Sequence, residues 1–150
     1  MARYKKDGNF YVKYPTRRKM AAILKRIIMS KGLYQEGTLV DSVRINARVT
    51  GFAKLEIDII AMYYFIFLNN GAYLWNGGVI PPYDIVSAFQ DEMVNQGITT
   101  EIYSQYTEWI TQNYPMVEAI EVLEKDQKIV YNFIPVDPPA GFTVGSPLDV

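Results

Sequence analysis

LVDSVRINARVTGFAKLEIDII, Leu39 to Ile60, decides the fold. Val43, Ile45, Ala47 and Val49 fall on one side of an extended chain, and Ser42, Arg44, Asn46 and Arg48 on the other. After Thr50-Gly51 the pattern resumes: Leu55, Ile57 and Ile59 point one way, Lys54, Glu56 and Asp58 the other. A period of two with one polar face predicts an antiparallel pair half open to water, and the short gap predicts a hairpin. The polar faces carry opposite charges, Arg44 and Arg48 against Glu56 and Asp58. Cross-strand pairs of that kind contribute under ~1 kcal/mol each.

Immediately downstream, the ten residues from Ile59 to Leu68 carry no charge before Asn69-Asn70-Gly71. A membrane-spanning helix needs about 20 apolar residues. The first 20 residues are basic and polar, without the apolar stretch of a secretory signal. The expectation is therefore a soluble chain, made inside the cell, with no membrane association. Periodicity alone does not assign AMYYFIFLNN, but its Asn-Gly ending predicts a short helix with a left-handed residue at Asn70 or Gly71. A helix apolar on every side must be covered on every side, and a second subunit is a candidate cover. Tyr63, Tyr64, Phe65, Phe67, Tyr73 and Trp75 are the candidate interface residues. Tyr and Trp are enriched at interface hot spots, although Trp75 could equally cover the domain's own core.

Working outward, residues 1–15 read as a basic, aromatic arm closed by Pro15. Thr16 is a candidate cap for a helix carrying Met20, Ile23, Leu24, Ile27 and Ile28 on one face and ending near Gly32. Pro81-Pro82 start a predicted helix through about Gln96, with Ile85, Ala88, Phe89 and Met93 inward. Another runs from Thr99 or Thr100 to Tyr114 along Ile102, Tyr106, Trp109 and Ile110, and Val117, Ile120 and Leu123 continue a helical period. A strand is predicted over Lys128–Pro135, and 137–150 form a Pro/Gly-rich tail. The sum is one α+β domain over 16–136, in which an antiparallel sheet packs against an N-terminal amphipathic helix and central helices.

Composition narrows the chemistry. The chain has 150 residues, 12 of them Tyr, and neither Cys nor His. Disulfides, thiol nucleophiles, thiolate zinc sites and histidine bases are excluded. No phosphate-binding glycine signature is present. The best catalytic candidate is Lys54-x-Glu56-x-Asp58, whose carboxylates share a strand face where Mg²⁺ could sit in a nuclease. A solvated face paired with Arg44 and Arg48 is the favoured reading, so no enzyme, metal or cofactor is expected.

The net charge of −1 conceals an asymmetry. Residues 1–31 hold ten basic side chains and one acid, leaving five basic and fifteen acidic residues for 32–150. Arg3, Lys5, Lys6, Arg17, Arg18 and Lys19 are the candidate partner- or DNA-facing cations, interleaved with Tyr4, Phe10, Tyr11 and Tyr14. Cations among aromatics are used by single-stranded nucleic-acid binders, so a nucleic-acid-binding module over 1–31 is one reading and a solvated helix face another.

The order of parts resembles the tail-completion or neck proteins of tailed bacteriophages, the small head–tail connector family. The resemblance rests on Gly37-Thr38-Leu39-Val40 and Ser42, matching a G-x-L-x-x-S strand start, then the hairpin, then the aromatic segment Ala61 to Gly71 ending in Asn-Gly. It spans roughly residues 16–135. Asn69-Asn70 replace the acidic residue usual before that glycine, and the region 97–126 is longer than a minimal member requires. The resemblance implies a non-enzymatic virion protein, made in the host cytoplasm. It implies a homo-oligomeric ring, of six or twelve copies, between portal and tail around the DNA channel. Neighbouring portal, connector or tail proteins would be its partners, with non-specific DNA contact in the channel.

Overall fold

The computed structural model describes residues 9–33, 37–50, 54–114, 128–144 and 147–150. In chain order its elements are β1 (Phe10–Tyr11), α1 (Tyr14–Ser30), α2 (Thr38–Ser42), β2 (Arg44–Thr50), β3 (Lys54–Met62) and α3 (Phe65–Asn70). They continue as β4 (Ala72–Tyr73), β5 (Val79–Ile80), α4 (Ile85–Asn95), α5 (Ile98–Asn113) and β6 (Lys128–Val136). The fold is α+β.

The predicted pair forms with its apolar face inward as expected, but Asp58 on the polar face is buried rather than solvated, because Arg48 and Asn132 cover it. β2 and β3 run antiparallel from Arg44 opposite Ile60 to Thr50 opposite Lys54. Val43, Ile45, Ala47, Val49, Leu55, Ile57 and Ile59 are all buried. Helix α1 contributes Met20, Ile23, Leu24 and Ile28 to the core, α4 adds Ile85, Val86, Phe89 and Met93, and α5 adds Ile102, Tyr106 and Ile110. Residues 51–53, where the hairpin turn was expected, lie outside the described residues.

The expected sheet was antiparallel, and most of it is, but β6 runs parallel to β3 over its full nine residues. The reason lies in the connection. Between the two strands the chain builds α3, α4 and α5, and a long helical crossover returns the chain to the start of the sheet in the same direction. The sheet order is β1-β2-β3-β6.

Several boundaries move for local reasons. The end of the arm docks as β1, burying Phe10 and Val12. Helix α1 starts at Tyr14 with Pro15 in its first turn, so Thr16 is a buried helical residue rather than a cap. Residues 38–42 form a helical turn, not the start of a strand. Gly37 takes a left-handed conformation (φ 77°), and the Ser42 hydroxyl donates to Leu39 C=O at 2.7 Å while accepting Met62 N–H at 2.9 Å. The uncharged run divides in two: β3 continues to Met62, and only Phe65–Asn70 is helical. Helix α4 begins at Ile85, after a left-handed Asp84 (φ 52°), rather than at the prolines. The helical continuation expected at Val117–Leu123 falls outside the described residues, as do residues 1–8. The C-terminal segment is irregular yet anchored, with Leu148 7% exposed. No described helix is long and apolar enough to cross a membrane.

Candidate assembly surface

Asn69, Asn70 and Gly71 organise the surface. Asn69 is fully buried. Its Oδ1 accepts the Val86 N–H at 2.8 Å, satisfying a first-turn donor of α4. Its Nδ2 donates to Asn70 Oδ1 at 2.7 Å and to Asp149 C=O at 2.8 Å. Asn70 in turn donates to Pro147 C=O and accepts the Asp149 N–H. The pair therefore fastens α3 to α4 and to the C-terminal segment. Gly71 follows at φ 83° and ψ 162°, a region essentially confined to glycine. A Cβ there would stand 3.0 Å from Ile80 C=O and 3.1 Å from Pro82.

That close approach sets the base of the small β4–β5 hairpin. Tyr73 pairs with Val79, Leu74 N–H donates to Gly78 C=O at 2.8 Å, and the Asn76 side chain accepts the Gly78 N–H at 2.9 Å. The turn is thus closed by its own polar groups, while its large side chains point outward. Tyr73 is 91% exposed and Trp75 98%. Leu74 and Val79 are exposed beside them. At the hairpin's foot, Leu33, Leu39, Tyr64, Leu68, Ile80 and Tyr83 border a cleft of about 920 Å³.

The other expected interface residues behave differently. Phe65 is fully buried and stacks on Phe133 at 5.8 Å, so it is a core residue and not an interface residue. The short α3 turns its first residues inward against β6, which the uncharged run alone did not reveal. Tyr63 and Tyr64 are half-buried, Tyr63 edge-on to both Tyr64 and Phe142. Phe67 also meets Phe142 and remains 39% exposed. The two most exposed large aromatic side chains among the described residues, Tyr73 and Trp75, therefore both sit on the hairpin.

The cations separate as well. Arg3, Lys5 and Lys6 lie outside the described residues. Arg17 donates to Val12 C=O at 3.1 Å and to the Asn46 side chain at 3.4 Å. The Arg17 and Arg18 guanidinium groups lie 5.4 and 5.8 Å from the centre of the Tyr14 ring. Lys19 turns the other way, to Glu101 at 2.9 Å. Glu101 also accepts the Thr16 hydroxyl, and that bond, with Lys19, holds its carboxyl below the usual glutamate value.

The strand-face carboxylates are already engaged. Arg48 spans both, Nη2 to Glu56 at 2.9 Å and Nη1 to Asp58 at 2.8 Å. Asn132 of β6 donates to Asp58 at 3.0 Å, and Thr50 donates to Glu56 at 3.2 Å. Burial works against ionisation of Glu56, but the Thr50 hydroxyl and the Arg48 charge outweigh it and hold the carboxyl below its ordinary value. The same contacts raise Arg48, led by the Asp58 hydrogen bond. Arg44, expected to share this role, is exposed and makes no ion pair among the described residues. The arrangement links β2, β3 and β6. No group of three or more acidic side chains that could hold a metal stands together among the described residues.

No protein-family model, curated protein or solved structure matches the chain.

Proposed function

We propose that the chain is a structural, ring-forming subunit of the head–tail connector of a tailed bacteriophage, joining portal and tail in the virion around the DNA channel. The observation that carries the assembly part is the β4–β5 hairpin. Tyr73 and Trp75 stand outside the buried core, and the turn that presents them is closed by the Leu74–Gly78 and Asn76–Gly78 hydrogen bonds above the close approach at Gly71. Two large aromatics on a fixed support are poised to bury roughly 150–250 Å² each on a neighbour. The motif order from Gly37 to Gly71 supplies the connector part of the reading. Non-specific contact with DNA would be confined to the channel.

Native mass spectrometry and electron microscopy of the purified chain, alone and mixed with portal and neighbouring connector proteins, test this. A closed ring is expected, and the double variant Tyr73→Ser, Trp75→Ser should stay monomeric with unchanged thermal stability. A chain that remains monomeric in every mixture would overturn the reading. Rings that persist in the double variant would remove the hairpin from the contact.

A further inference from the structure

Among the described residues, strand β2 is covered along only part of its outer edge. β1 pairs with it at Val49 and Arg48, and Val12 N–H donates to Ala47 C=O at 3.0 Å. The chain then leaves the sheet to begin α1. Because Ala47 turns its main-chain groups away from β3, alternation places the Ile45 N–H and C=O on that same outer side. Among the described residues no strand lies along Val43–Asn46 there.

Beside this open edge runs α1, and between them is a groove of about 480 Å³. Ala21 and Ala22 present only methyl groups to it, which leaves room for a main chain. Arg17, Arg18, Lys25 and Arg44 line it, and among the described residues no acidic side chain does. Arg18, Lys25 and Arg44 take part in no ion pair among the described residues.

We propose that this groove takes an extended acidic segment of another protein as an added strand on β2. The segment's main chain completes the ladder at Ile45, and its carboxylates meet the α1 and Arg44 cations. The inference stands apart from the ring reading, since it concerns a different face and a different partner chemistry. A nucleic acid fits less well on two counts. It offers no peptide groups to a strand edge. Among the described residues the groove's one aromatic ring, Tyr14, already has Arg17 and Arg18 against it, where a base would have to stack.

Fluorescence anisotropy with the full chain tests the proposal, using four labelled probes. They are the peptide (Glu-Val)4, its (Lys-Val)4 counterpart, the acidic peptide N-methylated at alternate residues, and the oligonucleotide dT8. The acidic peptide should bind, weaken as salt rises, and perturb the Ile45 amide in a ¹H–¹⁵N spectrum. The double variant Arg18→Glu, Lys25→Glu, in which Arg18 is exposed and Lys25 half-buried and neither is a core residue, should bind it roughly tenfold more weakly or worse. Its circular dichroism should not change. The N-methylated peptide should lose binding by a similar factor with the protein unaltered. Equal binding of the N-methylated peptide would overturn the strand addition. Failure of (Glu-Val)4 to bind, or tighter binding of dT8 that depends on Arg18 and Lys25, would overturn the acidic partner.

Discussion

Replacing Asn69 by alanine should destabilise the fold by about 3 kcal/mol, and the structure divides that figure between two sites. The Val86 N–H loses its acceptor at the buried start of α4. A helix-cap loss or an orphaned buried donor costs ~1–2 kcal/mol. The two Nδ2 bonds, to Asn70 and Asp149, end on groups that water reaches, so each accounts for about 0.5–1 kcal/mol. In a chain of 150 residues this corresponds to a fall in Tm of about 6–12 °C. Urea titration should show the midpoint falling at unchanged slope. Asn69→Asp adds a sign test. The aspartate would face two carbonyl oxygens, which raises its folded pKa above the unfolded value. Its penalty is then largest at neutral pH and shrinks as pH falls through the folded pKa. A loss below about 0.5 kcal/mol for Asn69→Ala would refute the view that this side chain fastens α3 to α4.

Arg48→Met should cost about 2–3 kcal/mol, less than the ~3–5 kcal/mol of a fully buried pair, because the cluster remains partly wet. The wild-type advantage over this variant should be full above about pH 5. It should vanish as pH falls through the lowered value of Glu56, read from urea midpoints at each pH. Gly71→Ala should lose at least about 2 kcal/mol in thermal unfolding, since neither the backbone angles nor the 3.0 Å approach of Ile80 C=O admits a Cβ.

The faces of β2 and β3 were legible residue by residue, because alternation is local and one face is polar. The direction of β6 was not, since a strand's own sequence carries no mark of the crossover that delivers it. The uncharged run hid its division for a related reason. An apolar stretch looks alike as a strand and as a helix, and β3 ends where Tyr63 N–H reaches Val136 C=O, a residue 73 positions away. Asn69-Asn70 read as a helix end, but their partners at Pro147 and Asp149 belong to a segment that looked like a loose tail. Arg17, Arg18 and Lys19 form one cluster on paper. Successive helical residues point about 100° apart, so Arg17 and Arg18 both meet Tyr14, Arg17 also reaching Val12, while Lys19 turns away to Glu101.

The two edges of the sheet differ in a way that bears on assembly. Among the described residues no strand lies beyond β6, and its edge is nine residues long with Ile134 exposed. Val136 C=O accepts from Tyr63, so the even-numbered residues of β6 turn their main chain to β3 and the odd-numbered ones turn outward. Pro135 therefore lacks its N–H on the side where β3 requires none, and the open edge loses a donor there. At the opposite edge the part of β2 left uncovered among the described residues is short and flanked by Arg17, Arg18 and Lys25. Two copies meeting through that edge would bring like charges together, whereas an acidic surface would be drawn to it. Residues 32–150 carry fifteen acids against five basic side chains. Contacts between unlike surfaces are thus favoured over a symmetric pairing of β2 edges. The ring contact proposed on the hairpin, with Tyr73 and Trp75, uses a different face, so an acidic segment at the β2 edge would not compete with it.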